Sequence, residues 1–350
     1  MFTLSSEKIP LILSVFGITS EVSGCTELQR YDYIDADSGH DELRLILKVN
    51  FADRNSVVVR IGDELRFPNE VLETQSEFSE HLRMRGILVP QRYHADEQFQ
   101  HRLAPLMELE SRKVTVSVED FMEGEIKSVN SDIAYKSGIL LAQTHNISES
   151  GNCHVNFRVL FNPLEENDLF FTLREFREIT EDLSSEYNAM KEKILNEYER
   201  RMEQLKPMEK YARFAVQGDF SDCNMFIDEE GKVGLFDFNN CGDNYLFADA
   251  VMQAYFISHL MEYSQELTEE FSAELFKSVL RGYNSVRPFS TEERSLIQPL
   301  YAVINAFERG TLYYNDDSLK KSIDNGDGER ISFLLERVLN TISEEFDAGI

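Results

Sequence analysis

Two short early runs are β-rich, Leu43 to Val49 (LRLILKV), where apolar residues recur at every second position, and Ser56 to Ile61 (SVVVRI), a β-branched run, with ADRN between them as a turn. That period and the β-branched content predict paired strands. A less regular run from Cys25 to Ile34 is expected to pair ahead of them, closed by the loop DADSGHD. The period then changes. From Asn69 to Arg85, Val71, Leu72, Phe78 and Leu82 recur near helical spacing, and Gly86 stops the pattern. ILVPQRY follows as an extended segment, and Val114 to Phe121 (VTVSVEDF) reads as another strand. Beyond the break MEGE the chain turns helical. One helix is predicted over Ser131 to Ser148, capped by Ser131, and a second long one over Leu169 to Leu205, ended by Pro207. NMFID and KVGLFDF, joined by EEG, form a hairpin pattern, and Tyr245 to Ile350 reads as helical, with STEE (Ser290 to Glu293) a capping box.

A β-rich first third and a helical remainder describe an α+β chain of two lobes, divided here as 1–121 and 122–350, and not a doubly wound sheet. The 350 residues, 42% hydrophobic and 28% charged, suffice for two cores. With 35 Lys and Arg against 63 Asp and Glu, the net charge is −28, which argues against a nucleic-acid partner, because phosphate backbones need clustered cations. The chain holds no run of 18 apolar residues, so no membrane span is expected. Its start, with Glu7 and Pro10 and no basic region, is a poor leader peptide. Four cysteines without CxxC pairing fit a reducing cytoplasm.

Chemistry concentrates in one stretch. Asp219 and Asn224 share a loop at a spacing of five residues, and Asp237 ends the second hairpin strand thirteen residues further on. A short hairpin would return Asp237 beside Asn224. Oxygen-only ligands suit Mg²⁺, which takes one or two protein groups together with phosphate oxygens and water. The remaining carboxylate can orient and deprotonate a hydroxyl. Phosphoryl transfer asks for this set, since positioning and charge neutralisation supply most of its rate.

VQGDFSDCNMFID, LFDFNNCGD and Asp249, twelve residues after Asp237, follow the order and spacing of one known pattern. The segment resembles the aminoglycoside phosphotransferase and choline kinase-like family, a branch of the protein-kinase-like fold. VVVRI is similar to that family's third strand, VLETQSEFSEHLRMRGILVP to its Glu-bearing helix, SVEDFMEGE to its hinge crossing and GILLAQTHNIS to its helix ending in L-x-x-x-H. The resemblance spans roughly residues 20 to 260. It implies a small β-rich nucleotide-binding N-lobe and a helical C-lobe bearing the catalytic loop and acceptor site. It implies an enzyme that moves the γ-phosphoryl group of ATP or GTP to a hydroxyl of a small molecule, with amine-bearing acceptors among the candidates. Asp219 would be the catalytic base, and Asn224 and Asp237 would hold Mg²⁺. Arg60 stands in the place of the phosphate-contacting lysine, with Glu73 or Glu77 as its helix partner. Backbone from Glu119 through Asp120 to Phe121 would receive the purine. Asp249 would brace the loop, and His145 would pack behind it. Gln217 replaces the family's His, keeping donor and acceptor capacity but not titration. Gln217, Arg60 and the lack of a Gly-rich loop define the alternative: a nucleotide-binding regulatory module of the same fold without turnover.

Overall fold

The structure is a computed structural model that describes residues 2–34, 39–165, 169–259, 267–346 and 349. In chain order the first part holds α1 (Lys8–Val15), β1 (Val22–Ile34), β2 (Asp41–Phe51), β3 (Val57–Asp63), α2 (Asn69–Met84), β4 (Leu106–Leu109) and β5 (Arg112–Asp120). Next come α3 (Ser131–Ser150), α4 (Leu173–Ile179), α5 (Asn188–Leu205), β6 (Arg213–Val216), β7 (Met225–Ile227), β8 (Val233–Leu235) and β9 (Gly242–Tyr245). The chain closes with α6 (Leu246–His259), α7 (Glu269–Val286), α8 (Thr291–Ala306), α9 (Leu319–Asn325) and α10 (Gly328–Ser343). The fold is α+β and protein-kinase-like, an antiparallel sheet followed by a helical part.

Two compact units arise from this chain, and they are not two consecutive stretches. One comprises Met1–Glu125, Val155–Phe157 and Met225–Asn239; the other comprises Ile126–His154, Arg158–Asn224 and Asn240–Ile350. The β7–β8 hairpin therefore belongs by its contacts with the first sheet.

In the first unit the strands lie in the order β1-β2-β3-β5-β4, with antiparallel pairing throughout. Alternation sorts the side chains. Leu43, Leu45, Leu47 and Val49 of β2, Val57, Val59 and Ile61 of β3, and Val114, Val116 and Val118 of β5 make a buried apolar face. Covering them are Ile9, Ile12 and Leu13 of α1, a helix that the strand-dominated reading of this region did not anticipate. On the other face Arg44, Ile46 and Lys48 run beside Gly62, Arg60 and Val58, which in turn pair with Thr115, Ser117 and Glu119. The fourth strand is Leu106–Leu109 rather than ILVPQRY, of which only Arg92 bridges to Glu119. Residues 35–38 of the expected DADSGHD loop lie outside the described residues.

In the second unit the helices dominate, with a two-stranded sheet of β6 and β9. Gly138 of α3 and Gly282 of α7 allow those helices a very close approach: a Cβ on either would sit 2.0 Å from a carbonyl oxygen of the other helix. The expected single helix over Leu169 to Leu205 is two, α4 and α5. Thr172 and Glu175 form a capping box that starts the first, and the Thr180 hydroxyl turns back onto the Phe176 carbonyl at 2.7 Å where it ends. The N-cap of α3 is Asn130, whose side chain takes the Ile133 N–H, and not Ser131. The capping box at Ser290 and Glu293 forms as read. Of the helical stretch expected from Tyr245 onward, residues 260–266 lie outside the described residues.

Candidate active site

Strand β6 delivers the chain to the loop of residues 217–224. Gln217 is buried, and its Oε1 accepts the backbone N–H of Asp219 at 2.8 Å. Gly218 follows in the left-handed region at φ +79°, where a Cβ would lie 2.6 Å from the carbonyl oxygen of Asn240. Both the conformation and the space call for glycine. The Asp219 carbonyl then accepts the Ser221 N–H and the Asn224 Nδ2, each at 2.9 Å. With Nδ2 committed there, Oδ1 is the side-chain atom of Asn224 with acceptor capacity. The Asp219 carboxylate accepts Asn240 Nδ2 on Oδ2 at 2.9 Å.

A buried polar chain holds this loop from behind. The Phe220 N–H donates to Gln253 Oε1 at 2.8 Å, and Gln253 Nε2 donates to Asp249 Oδ1 at 3.0 Å. Asp249 Oδ2 lies 3.0 Å from His145 Nε2, and His145 Nδ1 lies 2.9 Å from the Tyr283 hydroxyl. An ionised carboxylate only accepts, so in the neutral ring Nε2–H donates and Nδ1 takes the Tyr283 proton. Burial pushes the Tyr283 phenol well above its ordinary range, which keeps that proton in place. Asp249 and His145 thus belong to the buried polar chain behind the loop.

The other expected residues lie in the first unit. Asp237 follows β8 with φ +55°, and its Oδ1 accepts the Asn239 N–H at 3.3 Å. Phe238 is buried edge-on to Phe78 of α2, with ring centroids 6.2 Å apart. Arg60 NH1 is 3.4 Å from Asp237 Oδ2, and Arg60 Nε is 3.1 Å from Glu119 Oε1. Burial raises the Asp237 carboxyl, but Arg60 and the Asn239 N–H outweigh it and hold the group below its ordinary value. The side chain keeps 31% exposure, so this ionised carboxylate is open to a ligand.

Neither helix glutamate faces Arg60. Glu73 accepts the N–H groups of Leu103 and Ala104 at 2.9 and 2.7 Å and lies 3.4 Å from Arg102. Glu77 is exposed, and burial together with Glu73 raises its carboxyl above the ordinary value. The α2 side chain that reaches the Asp237 turn is Gln75, whose Nε2 donates to the Asn239 carbonyl at 2.8 Å. Two residues along a helix are about 200° around it, which puts Gln75 and the glutamates on different faces. The carboxylate anchoring Arg60 from the sheet is Glu119, whose other oxygen meets Arg92 at 2.9 Å. The expected hinge is partly committed: the Asp120 N–H donates to Gln91 O at 2.9 Å and the Phe121 N–H to Ser56 O at 3.0 Å. The Phe121 ring lies under Lys48 Nζ at 3.6 Å.

Sequence reasoning passed over Asn240, Gln253, Arg92 and Gln75. Asn240 and Gln253 carried a usable signal, since one follows the FDFN motif directly and the other stands one helical turn after Asp249.

Taken singly, the Asn224 side-chain oxygen and the ionised Asp237 carboxylate are oxygen donors of the kind a hard divalent cation accepts. Among the described residues no three His, Cys, Asp or Glu side chains converge into a cage. Mg²⁺ needs none, since it keeps water and phosphate oxygens as its other ligands.

A five-stranded sheet, a Gly-Asp loop with Asn five residues after the Asp, and a hairpin ending in Asp-Phe define a phosphotransferase of the kinase-like class. Residues 36–289 match the phosphotransferase enzyme family known as APH, and the chain belongs to that family. No curated protein matches the chain by sequence. Among solved structures it is similar to an amicoumacin kinase, at 13% identity and a TM-score of 0.55 over 98% of this chain and 96% of that one. A microcompartment-associated aminopropanol kinase also scores 0.55 at 13% identity, over 97% and 95%. A spectinomycin phosphotransferase scores 0.52 at 13% identity, over 97% and 98%. These three likenesses speak to the fold.

Proposed function

We propose that the chain moves the γ-phosphoryl group of ATP or GTP to a hydroxyl of a small molecule, with Mg²⁺. The observation that carries this reading is the held Asp219: its N–H, carbonyl and carboxylate are engaged by Gln217, Asn224 and Asn240 in turn. A base built this way has a fixed orientation before substrate arrives, which is what phosphoryl transfer asks of protein. Asp219 takes the acceptor's hydroxyl proton as the hydroxyl oxygen bonds to the γ-phosphorus and the bond to the β-phosphate oxygen breaks. Asn224 and Asp237 would hold Mg²⁺, which supplies charge neutralisation at the phosphates. Arg60 contacts the phosphates, and the Glu119 to Phe121 backbone receives the purine. Residues 1–121 serve the nucleotide, and residues 122–350 the catalytic loop and acceptor.

The similar solved structures support the donor and the acceptor class. The amicoumacin kinase is in complex with AMP-PNP and Ca²⁺, the spectinomycin phosphotransferase with ADP and spectinomycin, and the third acts on aminopropanol, an amino alcohol. An acidic chain of net charge −28 suits an amine-bearing acceptor. The reading places the protein in the cytoplasm, in keeping with four cysteines none of which is in a disulfide among the described residues; among those residues no helix is long and apolar enough to cross a membrane. The inactive-module alternative rested on Gln217, Arg60 and the lack of a Gly-rich loop. Gln217 holds the Asp219 N–H and Arg60 is anchored by Glu119, so the first two of these departures have partners in the fold.

A thermal-shift panel of ATP and GTP, with and without Mg²⁺, tests the nucleotide half. Nucleotide at a hundred times its dissociation constant should stabilise by about 2.7 kcal/mol. The Mg²⁺-dependent part should vanish in Asp237→Ala. A Mg²⁺ increment unchanged in that variant would assign the metal elsewhere.

A further inference from the structure

Arg60 and Glu119 are diagonal neighbours on one face of the β3–β5 pair, since Val58 stands opposite Glu119 and Arg60 opposite Ser117. Glu119 is 3% exposed and lies between two guanidiniums, 3.1 Å from Arg60 Nε and 2.9 Å from Arg92 NH2. Arg92 is itself tied to the Ser76 hydroxyl of α2 at 3.0 Å. With Asp237 the cluster holds two cations and two anions, so it is neutral as it stands. Removing one member would leave a buried charge uncompensated.

An ammonium offers three N–H donors from one point, so a carboxylate and a phosphate must share that single nitrogen. A guanidinium has two usable edges. Glu119 takes the Nε edge of Arg60, and the terminal nitrogens point elsewhere, NH1 toward Asp237. The arginine thus serves an anchor and a phosphate at once. Glu73 and Glu77 make no such anchor, because the first caps backbone N–H groups and the second is exposed.

We propose that Glu119, on the sheet, is the residue that positions Arg60 for the nucleotide's phosphates, and that Arg60 and Glu119 form one unit in which α2 supplies no carboxylate. This rests on the reading of Arg60 as a phosphate contact. Its consequence is that phosphate affinity depends on a strand residue, so a shift of α2 would leave the Arg60 anchor in place.

The test is titration calorimetry of full-length protein with MgATP and, separately, with adenosine. Glu119→Gln should weaken MgATP binding about tenfold or more, the scale of losing a hydrogen bond to a charged group, and leave adenosine binding within twofold. Glu119→Asp should recover part of the loss. Arg60→Ala should show the same loss, and Arg60→Ala with Glu119→Gln no further loss, since the two act as one unit. Should Glu119→Gln fail to fold with Arg92 left unpaired, Glu119→Gln with Arg92→Met removes that ion pair whole and should show the same selective loss. A loss in Arg60→Ala with none in either Glu119 variant overturns the positioning role and leaves Arg60 as a phosphate contact. Unchanged MgATP affinity in Arg60→Ala overturns both. Equal losses for MgATP and adenosine would make Glu119 a merely structural residue and also overturn the proposal.

Discussion

Gln253 has no proposed role in the reaction, yet its side chain joins α6 to the loop that carries Asp219. Gln253→Leu keeps the volume roughly and removes both polar ends. The Phe220 N–H, 2.8 Å from the lost oxygen, is then buried without a partner, at about 1–3 kcal/mol. Asp249, fully buried, loses the donor at 3.0 Å and keeps His145, which adds about 1.5–3 kcal/mol for a hydrogen bond to a charged group. Relaxation and water entry reduce the sum, so the expected loss is about 2–4 kcal/mol, a large share of the stability of an ordinary domain. Urea unfolding followed by circular dichroism should show a lowered midpoint with an unchanged slope. Turnover should fall with it, by about tenfold or more, because Phe220 follows Asp219, the proposed base. A midpoint shift worth less than about 1 kcal/mol, with normal turnover, would refute the idea that this polar chain holds the loop.

Two further expectations follow from local geometry. Gly218→Ala forces a Cβ to 2.6 Å from the Asn240 carbonyl at φ +79°, so it should cost about 1–3 kcal/mol and most of the turnover; a variant of wild-type melting temperature and rate would contradict the loop geometry. His259 is held neutral by burial, its imidazole lowered from 6.5 to about 4, with the Tyr255 backbone opposing the shift weakly. The unfolded chain takes up this proton near pH 6.5 and the folded chain only near pH 4, so stability should fall as pH drops through that window, by about 3 kcal/mol in all. His259→Phe should flatten that part of the pH profile of unfolding, and a profile identical to wild type would assign the acid sensitivity to other groups.

The loop and hairpin of the candidate site were legible because their geometry is local. A Gly-Asp loop, an Asn at a five-residue spacing and a tight hairpin fix their own conformation within some twenty residues, and β2, β3 and β5 declared themselves by alternating or β-branched runs. Partners set by tertiary packing were not legible. The choice between Glu73, Gln75 and Glu77 is one of helical phase, and charge favours the glutamates while the fold turns Gln75 inward. Glu119 hid as a hinge residue because only the β3–β5 register sets it diagonal to Arg60. The apolar stripe from Leu169 to Leu205 concealed a break, since a capping box at Thr172 and Ser and Thr residues near 180–185 end one helix and start another with little change of period. Helix α1 was missed because KIPLILSV, short and apolar nearly throughout, has no clear period until the sheet gives it a face to cover.

The most direct measurement is ATP and GTP consumption by wild-type protein and Asp219→Asn, with Mg²⁺, across a panel of amino alcohols, aminoglycosides and choline-like amines, with phosphorylated product followed by mass spectrometry. Asp219→Asn keeps the size of the side chain and removes the base, a change worth about 10² to 10⁴ in rate. The account predicts acceptor-dependent consumption by wild type, a product heavier by one phosphoryl group, and loss of both in Asp219→Asn while nucleotide binding persists. Equal turnover in the two proteins with the same acceptor would contradict Asp219 as the base, and nucleotide binding with no transfer to any acceptor would contradict the enzyme itself.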